Sequence, residues 1–154
     1  MIIVSACLAG SLCRWDGKSS LDPEIKRMVE SGEVIVACPE VLGGLTVPRE
    51  PAEIVGGGGA EVWEGKARVV TKSGRDVTRE FMVGAKKFLE LARKNGATKA
   101  ILKEKSPSCG LTCHPDGTFS KSYRSGPGVT AALLIKEGIE IINSNINKKH
   151  KYPK

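Results

Sequence analysis

Apolar positions along this chain fall into short blocks, and the period of the pattern switches between two and about 3.6 residues. The run Ile2-Ile-Val-Ser-Ala6 reads as a short buried strand ended by Cys7-Leu-Ala-Gly10. Residues 11–20 form a loop with Trp15-Asp16-Gly17 as a turn. Asp22-Pro23 opens a helix: the aspartate is the N-cap, and the proline takes the first helical position, where its missing N–H costs nothing. Ile25, Met28 and Val29 share one face of that helix, and Gly32 suits a left-handed C-cap. A second strand is expected over 33–37, in a run that stops abruptly at Cys38-Pro39-Glu40.

The middle of the chain changes character. Residues 53–55 and the four glycines 56–59 read as a flexible connection. Residues 60–64 and 67–71 alternate with period two around Gly65-Lys66, which predicts a hairpin. Asp76 caps a long helix over 77–94, with Val77, Phe81, Met82, Ala85, Phe88, Leu89 and Ala92 at helical spacing. Gly96 ends it, and a strand over 98–102 leads into Lys105-Ser-Pro-Ser-Cys-Gly110. A loop over 111–127 carries Cys113-His114 and the turn Pro115-Asp116-Gly117. An apolar helix over 128–136, a C-cap at Gly138 and a strand over 139–142 follow. Helix, glycine and strand thus recur at Gly32, Gly96 and Gly138. The expected fold is α/β: a Rossmann-like three-layer arrangement with a mostly parallel sheet and an inserted β-hairpin. Residues 1–146 would form one domain and 147–154 a basic tail.

Composition narrows this little. A chain of 154 residues with 27% charged and 40% apolar positions is an ordinary globule of one domain. No apolar run approaches the roughly 18 residues of a membrane span, and the N-terminus lacks the basic region of a signal peptide. A cytoplasmic protein is expected. The net charge is +7, and Lys148, Lys149, Lys151 and Lys154 hold much of it. Such a tail is ordinarily a solvated extension, with binding to nucleic acid as the alternative. Three Phe, two Trp and two Tyr give little material for an RNA-stacking face.

The five cysteines carry the chemistry. Their number is odd, and no C-x-x-C pair occurs, so neither a disulfide framework nor a zinc ribbon is supported. Cys7, Cys38 and Cys109 each lie just beyond the carboxyl end of a different expected strand, while Cys13 and Cys113 lie on flanking loops. In a parallel sheet those strand ends share one edge, where ligands bind. One cysteine after a strand is ordinarily a small buried hydrophobe; three at equivalent positions point to a metal or cluster site with an open coordination position. Thiolates leave zinc, copper(I) and iron–sulfur as choices. Gly10, Gly43, Gly44 and Gly110 would let backbone approach closely and direct N–H groups to sulfur.

Glu40, two residues from Cys38, is a candidate acid/base group or a solvated carboxylate. Ser106 and Ser108 flank Pro107 beside Cys109, as candidates for chemistry or for turn capping. Arg14 and Arg49 are candidates to hold a substrate, or to pair with Glu50 or Glu53. His114 is a candidate ligand or base, although loop histidines are usually neither. Cys7 through Arg14 resembles the C-x5-R phosphate loop of cysteine phosphatases and arsenate reductases, but its spacing is C-x6-R, one residue too long.

One resemblance covers residues 2 to about 142. Ser5-Ala-Cys-Leu-Ala-Gly10 with Arg14-Trp-Asp-Gly17, Cys38-Pro-Glu with Gly43-Gly-Leu and Pro48-Arg-Glu-Pro51, Lys105-Ser-Pro-Ser-Cys-Gly110, Asp116-Gly-Thr-Phe-Ser120 and Gly126-Pro-Gly-Val-Thr-Ala131 together resemble the bacterial thiouracil desulfidase family. Asp76-Val-Thr78 with Gly84-Ala85 belongs to the same set. The resemblance implies a 4Fe-4S cluster held by Cys7, Cys38 and Cys109 with one iron open. That iron would bind the sulfur of a thiocarbonyl such as 2-thiouracil or a related thiolated nucleobase. Water would then replace the sulfur, which leaves as hydrogen sulfide without net redox change. It implies Glu40 as the acid/base carboxylate and Ser106, or else Ser108, as the catalytic serine. Partners would be a small thio-substrate and, as a further option, thiolated tRNA. The alternatives are a cysteine phosphatase or arsenate reductase-like enzyme using Cys7, and a basic RNA-binding domain.

Overall fold

The computed structural model of the protein describes residues 1–143. Its centre is a parallel sheet of four strands: β1 (Ile2–Ser5), β2 (Val34–Ala37), β5 (Lys99–Leu102) and β8 (Glu140–Asn143), in the order β2-β1-β5-β8. Ile2 lies opposite Val34 on one side and Lys99 on the other, so β1 is paired along both edges. Ile3 and Val4 point to opposite faces, and both are fully buried. Two apolar layers therefore cover the sheet. Ile3 packs in a cluster with Phe88, Leu89 and Leu134. Val4 packs with Leu8, Ile25 and Ile101.

The helices supply those layers. α1 (Pro23–Glu30) covers the Val4 face, and Asp22 caps it by accepting from the Glu24 amide at 3.0 Å. α4 (Thr78–Lys94) and α5 (Val129–Lys136) cover the other face. The Asp76 carboxylate accepts from the Thr78 amide at 2.9 Å and caps α4. The strands and helices expected at 2–6, 33–37, 77–94, 98–102, 128–136 and 139–142 are present to within one or two residues. Among the described residues no helix is long and apolar enough to cross a membrane. The basic tail expected over 147–154 lies outside the described residues.

The inserted hairpin exists, but one arm differs from expectation. β4 (Arg68–Thr71) pairs antiparallel with β3 (Ala52–Val55), not with residues 60–64. Residues 59–63 instead form a short helix, α3 (Gly59–Trp63). Five residues are too few to separate a period of two from one of 3.6. Burying Val62 while the Trp63 indole donates to the Val129 carbonyl at 2.8 Å is satisfied by helix. The glycine run is no loose tether either. A Cβ at Gly59 would overlap the Gly128 carbonyl, so α3 docks backbone to backbone on the start of α5. β3, α3 and β4 close a further apolar cluster in which Ile54, Val62 and Val69 meet Phe81 and Ala85 of α4.

Further small elements go beyond the expected ones. Pro39–Leu42 form a helical turn, α2. β6 (Cys113–Pro115) and β7 (Tyr123–Ser125) make an antiparallel pair inside the 111–127 segment. After β1 the chain turns outward to β2, and after β5 it turns the opposite way to β8. The switch point, where such folds open a crevice, therefore lies above the carboxyl ends of β1 and β5.

Candidate active site

A cavity of about 300 Å³ opens at that edge, and Cys7, Cys13, Cys38 and Cys109 all line it. Each arrives by a different local device. Cys7 sits in a 3₁₀ turn, Ala6–Ala9, that ends β1 and closes through Gly10 at φ 100°. Cys38 ends β2 as the N-cap of α2, with Pro39 at its first position and Glu40 in its first turn. That turn is fixed from behind: a Cβ at Gly43 would overlap the Glu80 carbonyl, and one at Gly84 the Pro39 carbonyl. Only paired glycines let α2 rest on α4 this closely. Cys109 ends a loop tied down twice. Its amide and that of Ser108 both donate to the Ser106 hydroxyl, at 2.9 and 3.1 Å. The α5 amides of Val129 and Thr130 donate to the Pro107 and Ser108 carbonyls at 2.9 Å. The amides of Gly10, Gly43, Gly44 and Gly110 serve the carbonyls of their own turns and not sulfur.

Glu40 lines the cavity beside the thiols. Burial raises its pKa, and the Arg49 guanidinium opposes that rise from 3.2 Å. Arg49 does not line this cavity. It donates to Glu40, to the Cys13 carbonyl at 3.0 Å and to the Thr46 carbonyl at 3.0 Å, and its side chain is only 9% exposed. It pairs with neither Glu50 nor Glu53: Glu50 accepts from Ser73, and Glu53 from the Gly117 and Phe119 amides. Arg14 does line the cavity, and it pairs with Asp16 at 3.1 Å. Ser106 lines the cavity. Ser108 does not; it is fully buried, and its hydroxyl bonds that of Thr130 at 2.7 Å. Cys113 and His114 are buried away from the cavity.

Cys13 and Lys103 are lining residues to which the sequence assigned no role. Cys13 lines the cavity with Cys7 and Cys38, and its carbonyl lies 3.9 Å from the Cys38 sulfur. The signal available was its place six residues after Cys7, across a glycine that reverses the chain. Lys103, one residue past β5, is half-buried, and its ammonium donates to the Glu104 carbonyl at 2.8 Å. Burial lowers its pKa, while the nearby Cys7 thiol raises it.

Cys13, Cys38 and Cys109 disfavour their own ionisation. Burial pushes Cys109 up to about 12, against a lowering hydrogen bond to Ser5. Contact with Cys13, then burial, raises Cys38. At Cys13 the Cys38 contact lowers the pKa, but the Cys7 contact and burial outweigh it, to about 11. Crowded, half-dry thiols become thiolates only beside a strong cationic charge. Among the described residues no three Cys, His, Asp or Glu close on one point suited to a single metal ion. The sulfurs ring a cavity instead. A soft, polynuclear iron–sulfur group fits that donor set better than a lone zinc or copper ion.

Comparison with known proteins agrees. The sequence matches the family described as 2-thiouracil desulfurase over residues 2–145. It is 48% identical over 145 residues to the uncharacterized protein YbbK of Bacillus subtilis (strain 168), covering 94% of this chain and 96% of that one. A solved structure of TudS, described as a [4Fe-4S]-dependent thiouracil desulfidase, superposes with a TM-score of 0.82. Its identity is 42%, with 93% of this chain and 89% of TudS covered.

Proposed function

The chain belongs to the 2-thiouracil desulfurase family, a family of enzymes, and from that premise we propose that it hydrolyses the C=S bond of a thiouracil-like compound at a [4Fe-4S] cluster held by Cys7, Cys38 and Cys109. The observation carrying this is the convergence of three strand-end thiols and the Glu40 carboxylate on a single cavity. When bound, the cluster supplies a soft Lewis acid for the substrate's sulfur.

The chain's own residues supply the rest. Glu40, with its pKa raised by burial, removes a proton from the attacking water and can return it to the departing sulfur. Arg49 holds that carboxylate in place. The Ser106 oxygen accepts two backbone N–H bonds, which polarises its hydroxyl toward donation to the substrate's heteroatoms. Arg14 reaches the same cavity and suits a carbonyl oxygen. Trp15 and Tyr123, also in its wall, suit a planar ring. Water adds its oxygen to carbon, the sulfur leaves as hydrogen sulfide, and no electrons are transferred overall. Thiouracil and related thiolated nucleobases are the proposed substrate class, met in the reducing cytoplasm.

A phosphate loop centred on Cys7 fits less well. The Gly10 and Ser11 amides donate to the Cys7 and Ala6 carbonyls, at 3.2 and 3.1 Å, so they are not presented to an anion. Purification without oxygen tests the proposal. The protein should carry about four iron and four sulfide per chain and release sulfide from 2-thiouracil. Cys38→Ala should lose both the cluster and turnover. A protein that takes up no iron and sulfide even after reconstitution would falsify the reading.

A further inference from the structure

Three cysteines suffice for the reading above, yet four line the cavity. Cys13 differs from the others in how it arrives. Cys7, Cys38 and Cys109 are fixed at strand ends, whereas Cys13 lies in the irregular stretch between the 3₁₀ turn and α1 and is half-buried. Its backbone is nonetheless anchored. The Cys13 carbonyl accepts from Arg49 at 3.0 Å and lies 3.9 Å from the Cys38 sulfur. Its side chain lines the same cavity as those of Cys7 and Cys38. The result is a pinned main chain that presents a side chain with one rotatable bond before sulfur, next to two proposed ligands.

We infer that Cys13 is a displaceable fourth ligand, whose thiolate occupies the open iron of the resting enzyme until the sulfur of a substrate replaces it. This rests on the cluster reading given above. A thiol tethered beside a metal has an effective concentration of about millimolar or more, and thiolate outcompetes water on soft iron. The exchange is simple to balance. The bond between iron and the Cys13 sulfur breaks, and that sulfur keeps its electron pair. A bond from iron to the substrate sulfur forms, and no electron moves. Because Arg49 bridges the Cys13 carbonyl and Glu40, the exchanging thiol and the proposed proton-moving carboxylate share one anchor.

Mössbauer spectroscopy of the anaerobic holoenzyme tests this directly. In the wild type the four irons should look alike until 2-thiouracil is added, when one quarter of the signal moves. In Cys13→Ala that quarter should stand apart before any addition. The variant should keep wild-type iron and sulfide content. If Cys13 occupies the iron in about nine molecules of ten, the variant should bind 2-thiouracil about tenfold more tightly. On oxidation it should give the three-iron electron paramagnetic resonance signal in about tenfold greater yield, since its fourth iron is unguarded. One iron already distinct in the resting wild type overturns the inference, and so does loss of the cluster in Cys13→Ala, which would make Cys13 a permanent ligand. Wild-type spectra with and without 2-thiouracil decide the matter if the variant fails to fold. A wild type that binds no iron would instead sink the cluster reading itself.

Discussion

Three carboxylates line the thiol cavity, and they are held in two different ways. Glu104 and Glu53 are buried against backbone amides. Glu104 accepts from Leu111 and Thr112, at 2.9 to 3.1 Å, and Glu53 accepts from Gly117 at 2.9 Å and Phe119 at 3.0 Å. Glu40 is held by a side chain, Arg49, and burial raises its pKa. Amides that converge on a carboxylate satisfy its oxygens with backbone donors. They also tie a loop to a fixed point, which is a structural service. A carboxylate in a dry site, facing one guanidinium whose other donors serve carbonyls, keeps its affinity for protons. Position in the cavity is common to all three, so it does not mark the acid/base group. The chemistry of the partner does.

The largest effect should therefore separate turnover from stability at Glu40. Glu40→Gln keeps the shape and a hydrogen bond to Arg49 but cannot cycle a proton. On the reading proposed above, sulfide release should fall by about 10²–10⁴-fold, with cluster content unchanged. The urea unfolding midpoint should move little. Near-normal turnover in this variant would remove Glu40 from the mechanism.

Glu104→Gln should show the opposite balance. The substitution turns one carboxylate oxygen into a donor that faces the Leu111 and Thr112 amides. Losing charge-assisted bonds there should destabilise the fold by about 1.5–3 kcal/mol, read from urea unfolding. Turnover per cluster-bearing molecule should drop far less than in Glu40→Gln. If Glu104→Gln instead unfolds normally and loses catalysis, the partner-based distinction between these carboxylates is wrong.

That distinction lies beyond a sequence reading, because it depends on contacts across long stretches of chain. The sheet was legible because strands such as Ile2–Ser5 and Lys99–Leu102 are buried on both faces and leave continuous apolar runs. α4 was legible because seventeen residues hold a helical period. The meeting of Cys7, Cys38 and Cys109 followed from the alternation of helix and strand alone. By contrast, β3 was hidden by Pro51 and by Glu53, whose buried carboxyl group is met by amides some sixty residues away. α3 was hidden by its brevity. Cys13 enters the site through an Arg49 bond spanning thirty-six positions, and Arg49 itself looked like a partner for its neighbours Glu50 and Glu53. Local pattern finds elements with long, regular periods, whereas side chains aimed by a single distant contact leave no such trace.

His114 offers the smallest and most selective test, since it is fully buried but outside the cavity. Its Nδ1 bonds the Pro115 carbonyl at 2.9 Å, and its Nε2 has no hydrogen-bond partner among the described residues. The bond to a carbonyl requires the proton on Nδ1, which leaves Nε2 as a bare lone pair in a dry setting. Burial lowers the pKa below the ordinary 6.5; the Pro115 bond and the charges of Glu61 and Asp116 oppose the shift, and Arg124 reinforces it. The unfolded chain thus binds a proton more readily than the folded one, so stability falls as pH drops. The contribution should be complete above about pH 6.5 and shrink as pH falls through the lower, folded-state value. Urea unfolding from pH 7.5 downward should show this slope in the wild type and a shallower one in His114→Gln. Turnover near neutral pH should be almost the same in the two proteins. A pH slope that survives the substitution unchanged would show that His114 is not its source.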